Sequence, residues 1–272
     1  MKYSFMTFST KGMPIADVIS FARDMGYDGI EPRIDGGHEN GFEVTLAQTE
    51  RAAIRDLAKR LGVELCCVAT SLRFAQISKA AETVEQAHER IDFTADMGAP
   101  VMRVFGGELE KENCTREEAA AQMVKSLLAV ADHAAEKGIT LALETHDDWA
   151  NPNHIAGIMQ AVNHPAVQVN WDITHSRRYC DIPLEEAFEI VKPWIRHTHI
   201  HDGIGTNHTK PPFKFMPIGT GEYDHRTVLK LLHGINYKGY CSGEWLNWEP
   251  GEVHLPRELA TMRRYERELG LD

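Results

Sequence analysis

The sequence predicts a (β/α)8 TIM barrel, and three observations carry the prediction. Strand-like and helix-like segments alternate from end to end, as parallel βαβ units require. Eight strand candidates can be picked out, near residues 2–8, 28–32, 63–69, 100–105, 140–144, 167–171, 195–199 and 239–244. The last four close on acidic or imidazole residues, where a strand buried on both faces would leave the core. In a barrel those strand ends meet at one face, and active sites are built there. A chain of 272 residues suits one large barrel as well as two small domains. No linker, repeat or low-complexity tract divides it, so residues 1–272 are taken as a single domain.

The elements follow in order. Met1 to Met6 is apolar in alternation, and Thr7, Ser9 and Lys11 break the pattern, which marks a first strand and not the core of a signal peptide. Helical spacing recurs in Ile54, Leu57, Ala58 and Leu61 and again in Val124, Leu127, Leu128 and Ala131. Thr45 with Gln48 predicts a capping box, Gly62 and Gly138 stand where helices should stop, and Pro183 opens the sixth helix. The longest gap between strands, from His199 to Glu244, includes Asp202 to Glu222 with His208, Lys210 and Lys214. Extra length on the catalytic face predicts a substrate-covering loop.

Bulk properties narrow the function. A formal charge of −11 argues against a nucleic-acid partner, which needs clustered Lys and Arg. The five cysteines form no CxxC pair and read as reduced residues of a cytoplasmic protein. No apolar run approaches the ~20 residues of a membrane span.

Four residues carry the chemistry. Glu144, Asp172, His199 and Glu244 each close an apolar run, at separations of 28, 27 and 45 positions. Two Glu, one Asp and one His offer mostly hard oxygen donors. That set suits one divalent cation, Mn²⁺ first, with Mg²⁺, Co²⁺, Fe²⁺ or Zn²⁺ as alternatives. A structural zinc site would use cysteines instead. A six-coordinate ion would keep two positions for adjacent carbonyl and hydroxyl oxygens of a substrate, acidify the neighbouring C–H and hold the enediolate, while carboxylates move the proton. His197, His199 and His201 alternate along one strand and share a face, so spacing alone leaves the ligand among the three open.

Several segments carry a family likeness: Gly98 to Gly107 (GAPVMRVFGG), Leu141 to Glu144 (LALE), Val169 to His175 (VNWDITH), His197 to Asp202 (HTHIHD), Ile218 to Glu222 (IGTGE) and Gly239 to Glu244 (GYCSGE). Together with Gly26 to Glu31 (GYDGIE), they resemble the xylose-isomerase-like TIM-barrel superfamily, which includes sugar isomerases and epimerases, inosose dehydratases and AP endonucleases. The resemblance selects His199 as the ligand of its strand. It also implies Asp172 on the metal, His175 toward substrate, and Glu144 and Glu244 as ligands that exchange protons. Two departures matter. Ketohexose 3-epimerases usually carry a Glu and an Arg where this chain has Ala150 and Gly205, which tells against a free-ketohexose epimerase. The extra ligands of AP endonucleases are missing: Ala69-Thr70, Phe105-Gly106, Phe213 and Phe215 stand in those places.

The flanking residues complete the candidate site. His146 and Trp149, directly after Glu144, suit a polyol as imidazole and aromatic wall. Glu31, Arg33 and Arg103 would contact substrate hydroxyls or pair with one another, and Trp245 and Trp248 would form a second wall or a homodimer contact. His201 joins the substrate-binding set. The expected function is a metal-dependent isomerase or epimerase of a keto-sugar or related polyhydroxy carbonyl compound. The rival is a lyase or dehydratase on the same scaffold (inosose-dehydratase-like, or keto-glycoside β-elimination), with His146, His201 or His208 as the acid. A non-catalytic sugar-binding barrel is the third reading.

Overall fold

The computed structural model describes residues 1–37, 39–109, 113–207 and 212–271. In chain order the elements are β1 (Lys2–Phe5), α1 (Ile15–Met25), β2 (Gly29–Ile30), α2 (Gln48–Leu61), β3 (Glu64–Leu65), β4 (Val68–Arg73), α3 (Ala80–Asp96), β5 (Val101–Phe105), α4 (Arg116–Glu136) and β6 (Thr140–Glu144). There follow α5 (Pro152–Val162), β7 (Val167–Asp172), α6 (His175–Cys180), α7 (Leu184–Val191), β8 (Ile195–Ile200), β9 (Asp202–Ile204), β10 (Lys214–Met216), α8 (His225–Gly234), β11 (Tyr240–Gly243) and α9 (Gly251–Leu269).

Seven strands pair side by side in the order β1-β11-β8-β7-β6-β5-β4, all parallel. The curled sheet closes through β2, which pairs with β3 and is bridged at Met6–Glu31 and Arg33–Ala69. Counting β3 and β4 as one interrupted strand, the ring has the eight staves of a TIM barrel. The alternation of side chains assigns each residue to a layer. On β7, Trp171 turns outward against Phe188 of α7, at 5.4 Å between ring centroids. Its neighbours Asn170 and Asp172 therefore turn into the barrel.

Several boundaries differ from the sequence reading. The first strand stops at Phe5, because residues Thr7–Thr10 coil into a 3-10 turn. The third strand breaks at the buried Cys66 and Cys67. Thr45 and Gln48 do not cap α2: Ala47 is its first flanking residue, and Glu50 reaches back to accept its N–H at 2.8 Å. Gly62 ends α2 with φ of 70°, and Gly138, φ 72°, lies just beyond the last turn of α4. Pro183 sits just outside α7, and the short α6 precedes it. The segment read as a covering loop carries an antiparallel hairpin of β9 and β10, with Lys214 opposite Ile204. His208 and Lys210 lie outside the described residues. Among the described residues, no helix is long and apolar enough to cross a membrane.

Candidate metal and active site

Glu144 ends β6, Asp172 ends β7, His199 lies in the last turn of the ladder on β8, and Glu244 directly follows β11. Barrel closure brings the four together although 100 residues of sequence separate the first from the last. One ligand atom from each lies within 4.8 Å of all the others. Ligands on opposite sides of one small divalent ion stand about 4.2 Å apart, so the spread fits a single cation. Glu144, Asp172 and His199 are fully buried, and the Glu244 side chain is 14% exposed.

Each ring edge of His199 has its own carboxylates. Nδ1 stands 3.2 Å from Glu144 Oε1 and 3.3 Å from Glu244 Oε2. Nε2 faces Glu31 Oε1 at 3.1 Å. Burial opposes the imidazolium, but Glu31, Glu144 and Glu244 outweigh it and hold the His199 pKa well above its ordinary value. Burial likewise pushes Glu244 up, and His199 overrides it to bring that carboxyl to about 2. A pocket with this much negative charge around one imidazole is built for a cation.

Asp172 shows the same design atom by atom. Its Oδ1 accepts from the Thr174 N–H at 2.7 Å, the Thr174 hydroxyl at 2.8 Å and the His175 N–H at 3.0 Å. Its Oδ2 is buried with no hydrogen-bond partner. A buried carboxylate oxygen left bare is costly unless a cation completes it. The donor set and the bare oxygen therefore both fit a hard divalent ion.

His197 and His199 of β8 and His201, just past its end, occupy successive depths. His197 lies deepest, with Nε2 2.8 Å from Glu31 Oε2, so Glu31 bridges His197 and His199. His201 lies at the rim. The Thr174 hydroxyl spends its proton on Asp172, so it accepts from His201 Nε2–H at 2.7 Å. The Nδ1 lone pair of His201 is then left buried and unpartnered, 3.6 Å from Asp172 Oδ2.

The remaining candidates divide. His175 donates Nδ1–H to the Thr145 carbonyl at 3.0 Å, and its ring meets His146 edge-on at 4.6 Å. Burial, with the His146 and Arg178 charges, depresses its pKa well below the usual imidazole value. His146 is ion-paired with Asp147 at 2.7 Å and packs on Phe105. Burial works against its charge, yet Asp147 and Glu144 raise its pKa. Arg103 is buried under the cluster: it pairs with Glu144 Oε2 at 3.2 Å and donates to the Thr70 carbonyl. Arg33 donates to Ser71 at 2.9 Å.

Three further candidates are placed by the fold. Glu31 is fully buried and engaged with two histidines, so it supports His199 from below. Trp149 is buried against the outer helices, where its ring fills the space a side chain at Gly106 would need, 2.1 Å from an added Cβ, and lies under Arg116 of α4. Trp245 is buried within its own chain, so of that pair only Trp248 is left half-exposed.

Sequence reasoning missed Asn170 and Thr174. Asn170 Nδ2 lies 3.2 Å from both nitrogens of His199, and its place two residues before Asp172 on one strand was the available signal. Thr174 locks Asp172 and His201, and the Asp-Ile-Thr turn into a helix was its signal.

A family model described as a xylose isomerase-like TIM barrel matches residues 19–265. The chain belongs to that family. Within it, similarity to named enzymes is distant and nearly full-length. L-ribulose-5-phosphate 3-epimerase UlaE of Salmonella heidelberg (strain SL476) is 24% identical over 90% of this chain and 86% of its own. Fructoselysine 3-epimerase of Escherichia coli O157:H7 is 22% identical over 97% of both chains. A solved D-tagatose 3-epimerase-like protein superposes with a TM-score of 0.80 at 19% identity, covering 99% of this chain and 98% of that one. These matches to xylose isomerase-like barrels place the chain among enzymes of the sugar isomerase and epimerase type.

Proposed function

We propose that the protein is a divalent-metal-dependent epimerase acting on a keto-sugar or related polyhydroxy carbonyl compound at the carbon beside the carbonyl. One observation carries the reading: Glu144 and Glu244, from separate strands, flank His199 Nδ1 at 3.2 and 3.3 Å. Two carboxylates converging on one point from different staves can serve opposite faces of one carbon. One removes the proton and leaves an enediolate; the other returns a proton to the opposite face, which inverts the centre. A divalent cation held by Glu144, Asp172, His199 and Glu244, Mn²⁺ by preference for this mostly oxygen set and Mg²⁺, Co²⁺, Fe²⁺ or Zn²⁺ by supply, would add Lewis acidity at the carbonyl and hydroxyl oxygens.

The other side chains hold the substrate. His175, its Nδ1–H committed to Thr145, turns Nε2 to a hydroxyl, and His201 Nδ1 accepts from another. Arg103 fixes the orientation of Glu144, and His146, held by Asp147 beside His175, lines the substrate side. The relatives' 3-epimerase names support this class of reaction. All five cysteines are free, which supports a reducing, cytoplasmic setting.

The test is incubation of Mn²⁺-loaded protein with candidate keto-sugars in D₂O. Deuterium entering the carbon beside the carbonyl, with an epimer as product, is expected. Loss of water or of an aglycone instead would move the assignment to a lyase using His146 or His201 as acid.

A further inference from the structure

Two segments that carry the family likeness, His197 to Asp202 and Ile218 to Glu222, are joined by one side chain that the proposed chemistry does not use. Asp202 is fully buried and accepts four backbone N–H groups. Oδ1 takes those of Gly203 at 2.8 Å and Tyr223 at 3.2 Å. Oδ2 takes those of Gly219 at 2.8 Å and Gly221 at 3.0 Å. The Glu222 N–H donates to the Gly203 carbonyl at 2.9 Å and closes the same knot. The turn is shaped to this acceptor. A Cβ at Gly221 would lie 2.2 Å from Asp202 Oδ1, and Gly219 takes a φ of 89°. An ionised carboxylate offers lone pairs and no donor, so it matches four converging N–H groups. An amide in its place would turn hydrogens of its own toward two of them.

Asp202 therefore ties the start of the segment 203–221 to its end, and what the tied segment surrounds is His201. From β9 and β10, Phe213 and Phe215 meet His201 edge-on at 5.9 and 5.3 Å between ring centroids. Gly203 makes room for Phe213, since an added Cβ there would lie 2.3 Å from its ring. Past the other end, the Tyr223 hydroxyl donates to the Thr174 carbonyl at 3.4 Å. Thr174 in turn accepts the His201 Nε2–H at 2.7 Å. His201 is also bonded to Asp202 in the chain. Three routes lead from one carboxylate to one imidazole.

We propose that Asp202 is a positioning residue: by tying both ends of the segment 203–221 it holds the His201 ring where Nδ1 can accept a substrate hydroxyl. This rests on the proposed reading of His201 as a substrate contact. The four bonds of Asp202 go to backbone N–H groups, so its part is separate from cation binding and proton transfer.

Proton–nitrogen NMR of the Mg²⁺-loaded protein reads the His201 Nε2–H directly, and His201→Gln identifies its signal by loss. In the wild type this N–H and the Gly219 and Gly221 amides are expected to be protected and to exchange with water at rates within about tenfold of one another. In Asp202→Asn all three should exchange about tenfold or more faster, with Mg²⁺ affinity within about threefold of wild type. For a keto-sugar that exchanges deuterium, the variant should raise KM by more than it lowers kcat. The proposal is overturned by an unprotected His201 signal in the wild type, or by wild-type rates there unrelated to those of the two glycines. The wild-type measurement decides alone where the variant does not fold. An unchanged His201 signal in Asp202→Asn, loss of Mg²⁺ binding in step with it, or a loss confined to kcat also overturns it. The NMR readout needs no turnover, so failure of the epimerase reading in D₂O leaves it standing, and its own failure leaves deuterium exchange standing.

Discussion

The Glu31 carboxylate stands 3.1 Å from His199 Nε2, while Nδ1 of the same ring faces Glu144 and Glu244. A histidine that gives one nitrogen to a cation needs its proton on the other, and Glu31 accepts it there. Such partners set the tautomer and ring orientation of metal ligands, and their loss typically costs about 10–100-fold in metal affinity. Glu31→Gln should weaken Mn²⁺ binding by that order, read by competition with a chelating dye, without unfolding the barrel. Wild-type affinity in the variant would remove Glu31 from this role.

Chelation should abolish turnover and leave the fold. The core of interlocked strands and helices is continuous through Phe5, Val104, Leu143, Val169 and Leu229, far more than four side chains at one rim. Far-ultraviolet circular dichroism at room temperature is expected to be the same with and without chelator, with a lower Tm for the metal-free form, since a ligand that binds only the native state raises stability. Unfolding on chelation would make the site structural. His199→Ala should reduce bound metal below one ion per chain.

Glu144→Gln and Glu244→Gln keep side-chain size and one oxygen donor and remove the base. At saturating Mn²⁺ each should lower kcat by about 10²–10⁴-fold with a smaller change in KM. His175→Ala should chiefly raise KM. A Glu144→Gln/Glu244→Gln double variant that exchanges substrate deuterium at the wild-type rate would transfer the proton-moving role to His146 or His201.

Acid sensitivity should have a component at His254, packed between Trp245 and Trp248 at 4.8 and 5.2 Å. Burial and the Arg257 cation lower its pKa from 6.5 to about 4. Between those values the unfolded chain binds more protons than the folded one, so this contribution is complete above pH 6.5 and is lost as pH falls toward 4. The wild-type Tm should fall between pH 7 and pH 5, and His254→Phe should flatten that fall. Parallel Tm profiles for the two proteins would exclude the contribution.

The sequence made most strands legible as apolar runs, and it made the four candidate ligands legible because each lies at or near a strand's end. Trp149 shows what spacing along the chain leaves open. It follows Glu144 by five residues, but a 3-10 turn over Asp147–Trp149 swings its ring back under Arg116. The cap of α2 moved from Thr45 to Ala47 because Glu50 supplies the reaching carboxylate. Glu31 was open between a substrate contact and a charge partner, and the fold buries it against His197 and His199.

What the sequence determined by itself is the alternation of strands and helices, the barrel it implies, and the residue types able to bind a hard cation, since periodicity and strand-end placement are local properties. Spacing left open which of His197, His199 and His201 meets Glu144 and Glu244, and the tertiary structure decided it, because alternating residues share a direction and differ only in depth. It also decided that Phe213, Phe215 and Trp248 form one row, since hairpin pairing and ring closure join segments whose spacing in the chain carries no such signal.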